Sequence, residues 1–166
     1  MWDISPPIWA DALTTKAENR TMMLNGAYDH TLDDKGRVSL PAKHRAEMGE
    51  DLMVLAGLDG QLNVYPYSVW QKAAQNVAGQ NQALKEARAI TRILYAAIAC
   101  QVDRQGRVLI PPSLRSRAHL DTDVVILGMD DHLEIWSRER WDEMTKELDE
   151  NGSQIAATMA GAGLRM

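Results

Sequence analysis

Leu32-Asp33-Asp34-Lys35-Gly36-Arg37-Val38-Ser39-Leu40-Pro41, with Arg45 four residues on, returns as Val102-Asp103-Arg104-Gln105-Gly106-Arg107-Val108-Leu109-Ile110-Pro111, with Arg115 four residues on. Asp, Gly, Arg, Val, Pro and the distal Arg all recur at one offset of seventy positions. The shared pattern is D-x-x-G-R-V-x-φ-P-x-x-x-R, with φ aliphatic. A fixed period with ordered matches marks a duplicated structural unit. The match extends downstream: Asp51-Leu52-Met53-Val54-Leu55 answers Asp123-Val124-Val125-Ile126-Leu127, Leu62-Asn63-Val64-Tyr65 answers Leu133-Glu134-Ile135-Trp136, and Trp70 answers Trp141. The offset there drifts by one or two residues, as short loop insertions require.

Each half reads as two hairpins and short helices. Val38 and Leu40 alternate as in a half-buried strand. Gly36 and Gly106 stand where a hairpin turn needs positive φ. Pro41 and Pro111 lack an amide donor and fix φ near −65°, so each ends a strand and opens a helix. Met53–Leu55 and Leu62–Tyr65 form the next strand pair, turning near Asp59-Gly60; in the second half the turn falls at Asp130-Asp131. Helices follow near Ser68 and Ser137, both predicted as N-caps.

Between the halves, Leu84, Ala87, Ile90, Leu94, Ala97 and Ile98 recur at helical spacing, with Lys85, Arg88 and Arg92 opposite. This predicts an amphipathic helix that braces the core, with a break before it at Gly79-Gln80-Asn81. The small residues of 151–166 predict a disordered tail.

The formal net charge of −5 argues weakly against nucleic acid, because the phosphate backbone rewards clustered Lys and Arg. Binding needs only a local patch, however. Arg104, Arg107, Arg115 and Arg117 stand against Asp103 alone, and the first copy holds Lys35, Arg37, Lys43, His44 and Arg45. Acid gathers elsewhere, at Glu139, Asp142, Glu143, Glu147, Asp149 and Glu150. Two basic turns therefore coexist with an acidic total.

Within each turn, Asp33 faces Arg37 and Asp103 faces Arg107. Asp can accept turn amides and can hold Arg by charge-assisted bonds. A stapled surface hairpin explains such a pair with no further function, since exposed ion pairs are common and weak. A hairpin is also narrow enough to enter the major groove, where Arg reads guanine and Lys neutralises phosphate. Two copies show that turn and scaffold were duplicated together, which leaves both readings standing.

Catalysis finds little footing. The single cysteine, Cys100, excludes a disulfide framework; it follows an apolar helix end and is predicted to be a buried structural thiol. His30, His44, His119 and His132 lack metal-ligand spacing. No P-loop or G-x-G-x-x-G is present, so neither cofactor nor small-molecule substrate is expected. No apolar run approaches the roughly 18 residues of a membrane helix, and the N-terminus lacks signal-peptide character. Cytoplasmic residence is the expectation.

The double motif resembles the MraZ family, over about residues 24–150. That resemblance implies an α+β fold of two tandem SpoVT/AbrB-like swapped-hairpin half-folds, of double-split β-barrel type, forming an intrachain pseudo-dimer with packed helices. It implies a ring-shaped homo-oligomer, nucleoid association, and repression through direct repeats in double-stranded promoter DNA upstream of a division and cell-wall gene cluster. The turn residues that would contact DNA are Asp33, Lys35 and Arg37, and Asp103 and Arg107; Arg104 and Gln105 occupy the second tip. Chains of that family begin just before a segment like Leu24-Asn25-Gly26-Ala27, which makes residues 1–21 either a misassigned start or a real extension. The remaining expected division is repeat 1 at 24–70, a helical connector at 71–96, repeat 2 at 97–141, and a helix end with a flexible tail at 142–166. An antitoxin-like protein binder of the same fold is the alternative, and an enzyme is the third reading.

Overall fold

The computed structural model describes residues 23–161 and residue 163; the expected N-terminal extension at 1–21 lies outside the described residues. Among the described residues there are eight strands: β1 Ala27–Thr31, β2 Arg37–Ser39, β3 Asp51–Ala56, β4 Leu62–Pro66, β5 Ile98–Gln101, β6 Arg107–Leu109, β7 Asp123–Met129 and β8 His132–Ser137. The helices are α1 Arg45–Met48, α2 Tyr67–Ala78, α3 Lys85–Tyr95, α4 Pro112–Arg117, α5 Arg138–Glu150 and α6 Gly152–Gly161, with a 3-10 turn at Ala42–His44.

The strands form a six-stranded sheet of order β1-β7-β8-β4-β3-β5 and a separate ribbon of β2 and β6. All pairings are antiparallel. Exchanging each strand for its counterpart in the other repeat returns the same order read backwards. The chain therefore has the topology of a two-fold dimer closed within one polypeptide.

The halves are interlaced. β3–β4 and β7–β8 are hairpins within one repeat, whereas β1 pairs with β7, β5 with β3, β4 with β8, and β2 with β6. The first hairpin of each repeat is thus closed only at its turn, by the bridges Leu32↔Val38 and Val102↔Val108. Beyond the turn its strands separate and pair across the repeat boundary. One buried cluster joins both halves, including Val38, Leu40, Val54 and Val64 from the first and Val108, Ile110, Val124 and Ile135 from the second. A thin unit of short strands cannot bury a core alone, and interlacing supplies the missing layer.

The short helices begin as the prolines dictate. Pro41 is the N-cap of the 3-10 turn at φ −54°, and Pro111 is the N-cap of α4 at φ −55°. Ser137 caps α5, its Oγ accepting from the Arg140 amide at 3.3 Å. Ser68 does not cap: α2 begins two residues earlier than such a cap would place it, with Pro66 at the N-cap and no side-chain cap bond, because Pro66 already fixes φ for helix entry.

Four further expectations are corrected. The inter-repeat helix ends at Tyr95, and Ile98, assigned to its apolar stripe, opens β5 instead. Pairing of Ile98 with Val54 outweighs its place in the helical period. That helix is also no core brace: none of its residues is buried, and Leu84, Ile90 and Tyr95 are exposed. It forms an outer layer on α2, held by the Trp70 indole donating to the Leu94 carbonyl at 2.9 Å. Residues 152–161 are the helix α6 where composition predicted disorder; Ala156, Ala157, Met159 and Ala160 are good helix formers. Cys100 is half-buried rather than buried, and desolvation raises its thiol pKa. Among the described residues, no helix is long and apolar enough to cross a membrane.

Candidate nucleic-acid interface

The two basic turns are built alike. Asp33 Oδ1 accepts from the amides of Lys35 and Arg37, both at 2.9 Å, while Oδ2 accepts from Arg37 Nε at 2.6 Å. Asp103 Oδ1 accepts from the amides of Gln105 at 2.8 Å and Arg107 at 2.9 Å, and Oδ2 from Arg107 Nε at 2.9 Å. Gly36 and Gly106 close the turns at φ +81° and +76°. The amide of Arg37 or Arg107, then the guanidinium and the third turn amide, hold both carboxyls below the usual aspartate range against partial desolvation.

The staple has a chemical consequence. It engages only Nε of each arginine, so the four N–H groups on the terminal nitrogens stay available as a planar donor fork. The two pairs are partly exposed, with Arg37 and Arg107 each at 27%. The aspartate thereby holds the guanidinium to its own turn and leaves the outer N–H groups available to donate.

Strand pairing then joins the turns into one surface. Val38 lies opposite Val108 in the ribbon, and both are buried. Side chains alternate across a strand, so Arg37, Ser39, Arg107 and Leu109 share the other face. Arg37 stands opposite Leu109 and Ser39 opposite Arg107, which sets the two arginines on a diagonal, about 7–8 Å apart by strand geometry. Leu109 is 54% exposed, as a side chain on an open face must be. The tips extend this face at both ends, with Lys35 exposed at one and Arg104 and Gln105 at the other.

The candidate residues are thus partly united. Arg37 and Arg107 meet on one ribbon face, each fastened to its own aspartate. Lys35 and Arg104 remain at opposite tips. Ser39 and Leu109 belong to the face and were missed in the sequence. Their signal was the two-residue alternation with Arg37 and Arg107, legible only once β2 is known to pair with β6.

Arg45 and Arg115 were noticed as part of the repeat and counted among the basic residues of the two patches, but not as residues that touch the turns. In the structure they cross. Arg115 lies against Gly36 and Arg45 against Gly106; a Cβ built on either glycine would sit 2.5 Å from the guanidinium carbon.

The longest run of acid lies on another element. Glu139, Asp142, Glu143, Glu147, Asp149 and Glu150 all lie on α5. The groove between α5 and β7–β8 is lined by Asp59, Glu134, Glu143 and Glu147 with Arg140, a poor seat for phosphate. Inside it, Glu134 accepts from Gln61 Nε2 at 3.2 Å and from Trp136 Nε1 at 2.9 Å.

The family described as "MraZ protein, putative antitoxin-like" matches the chain twice, at residues 23–93 and 93–162. A protein named transcriptional regulator MraZ from Caldanaerobacter subterraneus subsp. tengcongensis is 44% identical over 135 residues, covering 81% of this chain and 94% of that one. A protein of the same name from Limosilactobacillus reuteri is 44% identical over 135 residues, covering 81% and 95%. Another from Pediococcus pentosaceus is 38% identical over 143 residues, covering 86% of this chain and all of its own length. With both copies of the turn motif inside the matched segments and the two matches meeting at residue 93 between the repeats, the chain belongs to the MraZ family.

Proposed function

We propose that this chain is a sequence-specific DNA-binding transcription regulator of the cytoplasm and nucleoid, not an enzyme, repressing a division and cell-wall gene cluster that includes its own gene. The observation that carries the reading is the shared ribbon face: two stapled arginines from two repeats, aimed outward on one narrow two-stranded element. A ribbon of that width suits the major groove, and a guanidinium fork matches the two acceptors of guanine. The names of the relatives as transcriptional regulators agree with it.

The interlaced pairing supports the finer fold assignment, two AbrB-like swapped-hairpin half-folds joined as an intrachain pseudo-dimer. One chain offers few contacts. Several chains in a closed ring would engage successive promoter repeats, and exposed Leu84, Ile90 and Tyr95 provide apolar surface for self-association. Linked sites then gain through effective concentration, roughly 10²–10⁴-fold.

Fluorescence anisotropy on one-, two- and three-repeat duplexes across a salt series tests this. If about three phosphates are neutralised per chain, two or three engaged chains give a log–log salt slope of about −5 to −8. Affinity should collapse on truncation to one repeat, and the slope should shrink with it. Equal affinity and slope on all three duplexes would leave concerted binding without support. Absence of salt-dependent DNA retention would favour the antitoxin-like protein binder instead.

A further inference from the structure

We infer that Arg45 and Arg115 are positioning residues for DNA recognition, each seating the arginine-bearing turn of the opposite repeat. The inference rests on the DNA-binding reading and assigns the crossed pair a part in it.

Each turn is held from two sides. Its own aspartate fastens it from within. From the other repeat, the Ile110 amide donates to the Gly36 carbonyl at 3.0 Å and the Leu40 amide to the Gly106 carbonyl at 2.9 Å. The crossed arginines stand at these junctions. Arg45 Nε donates to the Leu40 carbonyl at 3.0 Å while its guanidinium lies against Gly106. It therefore grips the same Leu40 residue whose amide holds the second turn. Arg115 lies in the same way against Gly36.

Glycine is needed here twice over. Positive φ favours it, and a Cβ would collide with the planar group beneath. A flat guanidinium against a bare peptide leaves no slack in which the turn can tilt. A space-filling apolar residue would also close the gap, yet both copies keep an arginine. Arg115 keeps it even with Nε buried and unpartnered, a costly arrangement. A positioning role accounts for that. The direction of the Arg37 fork depends on where the first turn sits, and Arg115 sets it; Arg45 does the same for Arg107. The crossing makes the two forks one object, since neither repeat can orient its own turn alone.

The prediction is a crossed pattern, which general loss of stability would not produce. Hydrogen exchange is measured on the full chain for Arg115→Ala and Arg45→Ala. Arg115→Ala should speed exchange at the Lys35, Gly36 and Arg37 amides about tenfold. It should leave the Gln105, Gly106 and Arg107 amides within about twofold, and Arg45→Ala should do the reverse. DNA affinity is then read by anisotropy on the three-repeat duplex. Arg115→Ala should weaken binding about tenfold in the wild-type and Arg107→Ala backgrounds, but less than about twofold in Arg37→Ala. Where Arg115→Ala does not fold, Arg115→Lys, which keeps stem and charge but loses the plane, should give the same crossed pattern. Loosening of the variant's own turn, equal loosening of both, or an equal affinity loss in all backgrounds overturns the inference. If Arg37→Ala itself leaves DNA binding intact, the DNA reading fails, and the exchange pattern still decides the coupling.

Discussion

Turn 33–37 and turn 103–107 carry the same bonds from the same atoms: two amides on one aspartate oxygen and an arginine Nε on the other. Their surroundings differ. The first tip presents Asp34 and Lys35, the second Arg104 and Gln105; Arg37 faces Leu109 across the ribbon, Arg107 faces Ser39. The residues that the backbone of the turn requires have stayed alike in both copies. Those that only meet solvent or a ligand have diverged. The lesson is that the duplication kept a turn that fastens an arginine to its own aspartate, while the two ends of one face came to present different side chains.

The largest expected break comes from removing one fork at a time. Arg37→Ala should weaken specific DNA binding by about 1–3 kcal/mol per engaged subunit with the fold intact. Arg107→Ala should cost a different amount within that range, because its tip presents Arg104 and Gln105 where the first presents Asp34 and Lys35. Gel-shift titration with a circular-dichroism control measures both. Equal losses would mean that the divergent neighbours contribute nothing. No loss from Arg37→Ala would remove the basis of the DNA reading.

The two glycines sharpen the opposite half of the comparison, the conserved frame. Gly36→Ala and Gly106→Ala each force a side chain into positive φ and against an arginine. Each should destabilise the protein by more than about 1 kcal/mol, and by similar amounts. Urea unfolding at one fixed protein concentration checks this. A clear inequality would show that the crossed arginines seat their turns differently.

Much of this frame was legible. The seventy-residue offset exposed both turns, β3–β4 and β7–β8 followed from apolar runs bounded by turn residues, and Ser137 announced its helix. The rest depended on partners distant in sequence. Ile98 fits a helical stripe and a strand equally well, and only its pairing with Val54 decides. β2 and β6 look like hairpin arms of their own repeats, so the shared arginine face stayed hidden until the exchange was seen. Arg45 and Arg115 matched in the repeat, but nothing local says that each lies on the other repeat's glycine. Residues 152–161 form a helix from small residues whose composition also suits a loose tail.

A smaller effect should come from the tips. Lys35→Gln and Arg104→Gln each remove one exposed charge at one end of the face. Each should lower the magnitude of the salt slope by about one for each engaged phosphate, with little change in sequence preference. Anisotropy across a salt series on the three-repeat duplex and a base-substituted control separates these outcomes. A changed base preference would move that tip from phosphate contact to direct reading.

The smallest effect concerns the staples themselves. Asp33 and Asp103 both titrate below the ordinary aspartate value, with the same causes in the same order, led by the amide of the paired arginine. A carboxyl whose folded pKa is depressed stabilises the fold fully above its unfolded value, about 3.9. That contribution is lost as pH falls through the depressed folded value. Thermal midpoints of the wild type should therefore drop across this acidic window. Asp33→Asn and Asp103→Asn should each start lower at neutral pH, since asparagine keeps an acceptor for the turn amides but loses the charge on the guanidinium. The gap to wild type should narrow as the wild-type aspartates protonate, and the two variants should follow one curve. A gap independent of pH would mean that the carboxylate charge does nothing at the turn. Two distinct curves would show that the matching distances conceal different electrostatics, and that the divergence between the turns reaches into the frame as well as the face.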